Sequence, residues 1–168
     1  MKVNIIVAMD NNRGIGIQNQ LPWSFKEDIE YFKNITKGAS NNAVVMGKNT
    51  YHSINRRLPC RDNIVLSSSL NQVRDKMFLC KSMDELLAFI TTKDYDDVWI
   101  IGGTSIYQQF LHMPEYINQV FITHIDNEYE CDSFFPHLPV YYNLIKQHKI
   151  FVNNTYLHFS VYDNMMIE

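Results

Sequence analysis

The residue in this sequence best suited to do chemistry is a carboxylate on the apolar face of a predicted helix. Residues 25–36 have helical periodicity, and Asp28 falls among the apolar side chains. Ser24 is predicted to cap this helix, with Glu27 completing a capping box. A buried, unpaired carboxylate is costly, so it ordinarily has a partner or a task. The alternative is a first-turn acid that favours the helix dipole and bends back to solvent. The apolar face is formed by Phe25, Ile29, Tyr31, Phe32 and Ile35.

Two predicted strand-to-helix junctions have the composition of a phosphate-binding site. Gly102-Gly103 ends a buried strand and precedes a helix that begins at Thr104. Glycines at this place allow a pyrophosphate to approach the backbone N–H groups of a helix N-terminus, where the dipole favours negative charge. Gly47 repeats the arrangement ahead of a second helix that begins at Lys48. A tight turn without a ligand is the alternative. The two junctions together suit a diphosphate with an adenosine beyond it.

Two further polar residues are candidates for the same site. Arg61 lies in a loop, and its planar guanidinium suits bidentate binding of a carboxylate. A solvated surface charge is the alternative, and we keep that interpretation for Arg56 and Arg57. Thr123 lies in an apolar strand from which it could reach Asp28, although it could equally be an ordinary strand residue. The six histidines have no ligand spacing, so no metal site is predicted.

The elements that position these residues alternate between apolar strands and helices. Near-continuous apolar strands separated by helices predict an α/β fold with a mostly parallel central sheet flanked by helices on both faces. An antiparallel C-terminal hairpin follows, with its turn at Asn153-Asn154. Ligands of such sheets bind beyond the carboxyl ends of the strands, which is where the candidate residues fall. The predicted strands are residues 3–9, 43–47, 63–67, 78–80, 97–101, 119–125, 144–152 and 155–163, and the predicted helices are 25–36, 48–54, 83–90 and 104–111.

The bulk properties predict a single domain over residues 1–168. The net charge of -3 and the absence of a basic block argue against nucleic-acid binding. The N-terminal apolar run is too short for a membrane span and has no cleavage site, so we expect a cytoplasmic protein. Cys60, Cys80 and Cys131 have neither metal-ligand nor redox-pair spacing and are predicted to be free thiols. We expect a monomer that acts on a small molecule.

Gly14-Ile15-Gly16 after the first strand superficially suggests a dinucleotide-binding fingerprint. Asn19 stands in place of its third glycine, and Leu21-Pro22-Trp23 interrupts the position where its helix should begin. We interpret residues 10–24 instead as a mobile loop that folds over a ligand.

Several ordered segments of the chain resemble those of dihydrofolate reductases, and together they span nearly the whole sequence. Any one of them alone would be weak evidence. Cys60 replaces a glycine usual in the family without removing a contacting group. The matching segments are Ile15-Gly16, Leu21-Pro22-Trp23, Asp28, Phe32, residues 45–51, Ser53-Ile54, Leu58-Pro59, Arg61, and residues 63–68, 99–107, 122–125 and 132–136.

This resemblance implies reduction of 7,8-dihydrofolate to 5,6,7,8-tetrahydrofolate with NADPH, by hydride transfer to C6 and protonation at N5. Asp28, assisted by Thr123, would accept hydrogen bonds from the 2-amino and N3 groups of the pterin and raise the basicity of N5. Water admitted near Leu21 would supply the proton, and Trp23 would hold an ordered water. Arg61 would bind the α-carboxylate of the glutamate tail. The other substrate-binding residues implied are Ile6, Val7, Ala8, Ile29, Phe32, Ile54, Ile101 and Tyr107.

The resemblance also implies a cofactor site and a cis peptide between Gly102 and Gly103. Ser68 would meet the 2′-phosphate of NADPH, with Lys48 and Lys81 balancing its charge. Some relatives carry more basic residues here, so weaker discrimination against NADH stays open. Asp132 matches a residue that supports the loop of residues 10–24. The implied cofactor-binding residues are Ala8, Ile15, Gly16, Gly47, Lys48, Asn49, Thr50, Leu66, Ser67, Ser68, Lys81, Ile101, Gly102, Gly103, Thr104, Ser105, Ile106 and Tyr107.

Two other functions stay open. The related reductase that acts on a ribosylated aminopyrimidine in riboflavin synthesis shares the sheet and the Gly-Gly junction, but would not be expected to combine Trp23, Asp28 and Arg61. The second alternative is a non-catalytic folate- or NADPH-binding module, which no feature of the sequence favours.

Overall fold

The computed structural model describes residues 1–167, whose strands and helices alternate as the sequence predicts. A single 3-10 turn, Pro114–Tyr116, precedes the seventh strand. Within residues 1–167, no helix combines the length and the apolar composition needed to cross a membrane. The helices are α1 (Lys26–Lys37), α2 (Lys48–Ile54), α3 (Met83–Thr91) and α4 (Thr104–Leu111). The strands are β1 (Lys2–Met9), β2 (Gly14–Gly16), β3 (Ala43–Gly47), β4 (Asp62–Leu66), β5 (Phe78–Cys80), β6 (Asp97–Ile100), β7 (Gln119–Ile125), β8 (Ser133–Phe134), β9 (Tyr142–Val152) and β10 (Thr155–Asn164).

Eight strands form one twisted sheet in the order β5-β4-β3-β6-β1-β7-β10-β9. Neighbours from β5 to β7 run parallel, and β10 is antiparallel to both β7 and β9. Ile5 of β1 stands at the centre, in register with Ile100 on one side and Val120 on the other. The central strands are covered on both faces, which is why they read as continuous apolar runs. The predicted fold class is confirmed.

Helices lie on both faces of the sheet, each over its own apolar cluster. On one face Leu86 of α3 and Phe110 of α4 pack with Ile5 and Ile100. On the other face Phe32 of α1 joins a second apolar cluster. The centre of this cluster is formed by side chains from the same strands that point to the other side of the sheet, including Trp99. A third cluster lies beneath the C-terminal hairpin. Successive side chains of each strand point to opposite faces of the sheet, so each helical layer packs against every second residue of the strands.

The C-terminal hairpin turns at Asn153 and Asn154, as predicted. Both residues have positive φ, 51° and 61°, which fits the two-residue turns that follow the twist of a hairpin. β9 begins at Tyr142, two residues before the predicted start, and is the exposed edge of the sheet. The hairpin thus extends the sheet beyond β7 and pairs with the edge of β7.

The predicted capping box at the start of α1 is wrong. Phe25 is the N-cap residue, in an extended conformation, and it makes no side-chain capping bond. Its ring is buried, so the chain turns into the helix one residue after Ser24. Glu27 and Asp28 lie in the first turn, where their charge favours the helix dipole.

A small two-stranded sheet was not predicted. β2 pairs antiparallel with β8, so part of the loop of residues 10–24 is tied to the segment after β7. Each strand has only two or three residues, too few for an alternating pattern to be recognised in the sequence. Gly14-Ile15-Gly16 is therefore a strand, and not the turn of a dinucleotide-binding fingerprint.

Candidate active site

A single cleft of about 1640 Å³ runs along the carboxyl ends of β1, β3, β4 and β6. Of the residues predicted for the site, only Trp23 and Gly102 do not line it. The lining falls into two halves. One half lies against α1 and is called the substrate half below. The other lies between the start of α2 and the start of α4 and is called the cofactor half.

Asp28 lies in the substrate half, beside Tyr31 and opposite β7. Burial raises the pKa of the Asp28 carboxyl, and a hydrogen bond from the Thr123 hydroxyl opposes that rise. Thr123 itself is buried. The burial of its own ring, and the nearby Asp28 charge, raise the pKa of Tyr31 to about 12. Asp28 is thus a desolvated carboxylate with one neutral donor, ready to accept hydrogen bonds from a cationic or amidine-like ligand.

Trp23 does not form part of the cleft wall. Its ring packs in the cluster beneath the C-terminal hairpin and lies 5.2 Å from the ring of Tyr129. Its indole Nε1 is buried and has no acceptor among the residues that the structure describes. A buried N–H without an acceptor normally bonds to ordered water. The water-binding role of Trp23 stays a prediction, for which this unpaired N–H is the available donor.

Arg61 lies at the far end of the substrate half and is buried, with 6% of its surface exposed. Its Nε donates to the Pro59 carbonyl over 2.9 Å, and its Nη1 donates to the Thr36 hydroxyl, also over 2.9 Å. Both acceptors are neutral. Burial lowers the pKa of the guanidinium. The sequence left open whether Arg61 was a solvated surface charge, and the structure places it in the wall of the cleft.

The cofactor half is built on two glycine-capped helices. Gly47 and Gly103 are the N-cap residues of α2 and α4, and neither helix start has a side-chain cap. A Cβ on Gly47 would come within 2.8 Å of Ile106 Cγ1, and the Gly47 N–H donates to the Gly102 carbonyl over 2.8 Å. The Gly102–Gly103 peptide is cis, as predicted. First-turn N–H groups of both helices are open to an anion at this side of the cleft.

Polar groups beyond these helices form the outer end of the cofactor half. The exposed Lys48 amine donates to Ser69 Oγ over 3.3 Å. Lys81 donates to the Leu70 carbonyl over 2.7 Å, so that amine is already engaged with the protein. Ser68 is exposed at the cleft wall beside them. The predicted site for a ribose phosphate therefore holds one lightly bonded lysine and one that braces its own loop.

Two carboxylates hold the loop of residues 10–24 between Asn12 and Gln18. Asp10 is buried and accepts from the backbone N–H groups of Asn12, Gly14 and Tyr129, over 2.9, 2.7 and 2.9 Å. Asp132 accepts from the Gln18 N–H over 3.0 Å, which confirms its predicted support of the loop. The role of Asp10 was missed, because a polar residue directly after a strand is indistinguishable in the sequence from any turn residue. Both carboxylates bring Ile15 and Gly16 to the cleft.

Other residues near the cleft were not predicted for the site. Lys33 and Arg56 line the substrate half with exposed side chains, which agrees with the surface position expected for Arg56; Arg57 is exposed and does not line the cleft. Thr36 was not among the residues predicted for the site. The signal available in the sequence was its position eight residues after Asp28 in the same helix. Residues at that spacing lie on the same broad face of a helix, so Thr36 could have been expected near the site.

The comparisons with known proteins agree with this geometry. A family model described as dihydrofolate reductase matches residues 2–164. A dihydrofolate reductase of Mus musculus is 40% identical over 149 residues, which cover 81% of this chain and 79% of the relative. One of Drosophila melanogaster is 36% identical over 149 residues, covering 83% and 81%. One of Staphylococcus haemolyticus is 39% identical over 140 residues, covering 81% and 77%.

Proposed function

Because this chain belongs to the dihydrofolate reductase family, we propose that it reduces 7,8-dihydrofolate to 5,6,7,8-tetrahydrofolate, with NADPH as the hydride donor. The substrate carries an aminopyrimidine ring at one end and a glutamate at the other. Its recognition therefore requires an acceptor of N–H groups, an apolar channel and a cation, in that order.

The observation that carries this proposal is the arrangement of charge along α1. Asp28 lies in the first turn of the helix, and Thr36, which holds Arg61, lies two turns later. At 1.5 Å per residue the two positions are about 12 Å apart along the axis. Phe32 lies between them and lines the cleft. A carboxylate and a guanidinium thus bracket an apolar channel that is also lined by Ile6, Ile29, Ile54 and Ile101.

Asp28 binds the pterin in this proposal. As a carboxylate it accepts hydrogen bonds from the 2-amino and N3 groups, and its negative charge makes N5 more basic. Burial strengthens this effect, because the charge is weakly screened where water is excluded. The Thr123 hydroxyl keeps the carboxylate available in its ionised form, since a hydrogen bond to that form lowers the pKa.

The proton for N5 comes from water at the exposed side of the pterin. Leu21 lines the cleft with 59% of its surface exposed, so this edge of the cleft is open to solvent. Trp23 Nε1 supplies a buried donor for an ordered water near the Asp28 side. The side chains thereby separate a dry region around the carboxylate from a wet region near N5.

The cofactor half fits a dinucleotide that carries a 2′-phosphate. The glycine-capped starts of α2 and α4 would hold the diphosphate, and Ser68 with Lys48 would hold the ribose phosphate. When bound, NADPH supplies the hydride that goes to C6 of the pterin. Ala8, Ile15 and Tyr107 line the junction between the two halves and would orient the nicotinamide there. Tyr107 donates to the Ile6 carbonyl over 2.8 Å, which fixes its ring.

The aminopyrimidine reductase of riboflavin synthesis is disfavoured by the combination of residues in the substrate half. Asp28, Arg61 and the buried indole of Trp23 serve the two ends of a pterin–glutamate molecule, and a ribosylated aminopyrimidine has no carboxylate for Arg61. The monomeric state stays a prediction. The cytoplasmic location stays a prediction.

A steady-state assay of the purified chain tests the proposal. Oxidation of NADPH should be fast with dihydrofolate and slow with a ribosylated aminopyrimidine or without substrate. The product should be identified as tetrahydrofolate by chromatography. Binding of both ligands without turnover would favour a non-catalytic binding module, and turnover of the aminopyrimidine alone would reject the proposal.

A further inference from the structure

The guanidinium of Arg61 is held by the protein through two of its three nitrogens. Nε donates to the Pro59 carbonyl and Nη1 donates to the Thr36 hydroxyl. Nη2 makes no hydrogen bond within residues 1–167, and Arg61 lines the cleft. A guanidinium has five N–H donors in a fixed plane. Fixing two of them therefore sets the direction in which the remaining donors point.

The Thr36 hydroxyl makes two hydrogen bonds, one as donor and one as acceptor. It accepts from Arg61 Nη1 over 2.9 Å, and it donates its own hydrogen to the Phe32 carbonyl over 2.8 Å. The bond to Phe32 fixes the hydroxyl hydrogen, so a lone pair is left to face the guanidinium. A hydroxyl also leaves the positive charge of Arg61 intact, whereas a carboxylate at this place would neutralise it.

Thr36 is in turn held from behind. It is fully buried, and its carbonyl accepts from Asn42 Nδ2 over 2.9 Å. Asn42 is buried as well, and its Oδ1 accepts from the Asp97 N–H at the start of β6 over 3.1 Å. The contact with Arg61 is thereby tied to the central sheet, and it does not depend on a mobile loop.

We infer that Thr36 is a positioning residue, which orients Arg61 toward the carboxylate of the substrate without neutralising the guanidinium. The inference rests on the proposed function, in which Arg61 binds the glutamate tail. Thr36 touches neither the pterin nor the nicotinamide in this arrangement. Its loss should therefore affect recognition of the tail and leave the chemical step unchanged.

The test compares two substrates in the full-length enzyme. Thr36→Val keeps the shape of the side chain and removes the hydroxyl, and Thr36→Ser keeps the hydroxyl. With dihydrofolate, Thr36→Val should raise KM about tenfold, the size of one hydrogen bond to a charged group, with kcat nearly unchanged. With a dihydropterin that lacks the benzoyl-glutamate tail, its KM should equal that of the wild type. Thr36→Ser should restore most of the loss with dihydrofolate.

Arg61→Gln separates a failure of this inference from a failure of the proposed site. If Arg61→Gln raises KM for dihydrofolate but Thr36→Val does not, Arg61 binds the tail and Thr36 does not position it. If neither change discriminates between the two substrates, the proposed carboxylate site is wrong and the inference falls with it. In the Arg61→Gln background, Thr36→Val should have no further effect on KM.

A merely structural role would give a different result. Thr36→Val would then lower the melting temperature and impair both substrates equally, because a loosened helix would also displace Asp28. An equal loss with dihydrofolate and the tail-less dihydropterin overturns the inference. A loss confined to dihydrofolate supports it, even when the melting temperature falls.

Discussion

The two halves of the cleft hold their charged groups in opposite ways. In the substrate half Arg61 is buried and Asp28 is largely shielded from water, and each is contacted by a neutral hydroxyl from a neighbouring element. In the cofactor half Lys48 and Lys81 are exposed, and among residues 1–167 no buried charged side chain lines the cleft beside the glycine-capped helices. Backbone N–H groups, and not side chains, provide most of the binding surface for an anion there.

This difference determines how sensitive each half should be to substitution. A desolvated charge acts at full strength and cannot be replaced by solvent, whereas an exposed charge is screened by water and salt. Changes in the substrate half should therefore have large effects that salt hardly alters. Changes to charged side chains in the cofactor half should have small effects on cofactor binding, and added salt should weaken them. A larger effect is expected only where a new side chain occupies the space beside a glycine backbone.

The largest effect is expected from Asp28→Asn. The amide keeps the shape but removes the charge that makes N5 basic, so kcat/KM at neutral pH should fall about 10²–10⁴-fold, the range of general acid–base contributions. Activity should recover partly in acid, where the substrate arrives already protonated at N5. The measurement is a pH profile of NADPH oxidation with dihydrofolate. Near wild-type turnover at neutral pH would mean that Asp28 is only a first-turn acid.

The same substitution should stabilise the fold at neutral pH. Burial raises the pKa of Asp28 above its unfolded value, so the folded protein binds this proton more tightly than the unfolded chain does. The wild type therefore loses stability as the pH rises through the interval between the two pKa values. Asp28→Asn removes that loss, and its melting temperature should exceed that of the wild type at neutral pH. The gain should vanish below the unfolded pKa of the carboxyl.

Gly47→Ala should have the next largest effect and would test whether the cofactor half depends on close backbone approach. The new Cβ would lie 2.8 Å from Ile106 Cγ1 and must displace the first turn of α4. We expect KM for NADPH to rise about tenfold, as for other small displacements of a binding group. KM for dihydrofolate should stay the same. Ile106→Ala in the same chain should relieve the clash, and losses that simply add would contradict this explanation.

Lys48→Ala should have a smaller effect that depends on the cofactor. KM for NADPH should rise about fivefold at low salt, the upper end for an exposed charge pair, and KM for NADH should hardly change. Raising the salt concentration should shrink the difference. Lys26→Ala, on the exposed face of α1 and outside the cleft, is the matched control. Equal losses with both cofactors would show that the phosphate pocket lies elsewhere.

Lys81→Ala should have the smallest effect on cofactor binding. Its amine is engaged with the Leu70 carbonyl, so less of its donor capacity is free for a phosphate. We expect KM for NADPH to rise about twofold or less. A larger rise than that of Lys48→Ala would mean that Lys81, and not Lys48, binds the phosphate.

The comparison of the two halves also explains what the sequence could and could not predict. Asp28 and the glycine junctions were found because each breaks a local rule: a charge on an apolar face, and flexible residues where a helix begins. The strands of the eight-stranded sheet and the four helices followed from periodicity, to within two residues at each end. These signals are local, so they do not depend on knowing the fold.

The features that the sequence did not predict all depend on contacts between segments that are distant in the chain. Thr36 acquires its role only when Arg61, 25 residues later, folds against it. Asp10 is recognisable only through its bond to Tyr129, 119 residues away. The capping prediction failed because the burial of Phe25 against the hairpin overrode a local preference. No pattern within a short window records such partners.

The helix that carries both Asp28 and Thr36 also limits how this chain can change in length. Inserting or deleting one residue between these positions would rotate one end of the helix by about 100° relative to the other. The Asp28 carboxylate and the Thr36 hydroxyl that supports Arg61 would then face different directions, although every site residue would still be present. Descendants of this sequence can gain or lose residues in the surface loops, whereas the nine-residue interval from Asp28 to Thr36 must be inherited at fixed length.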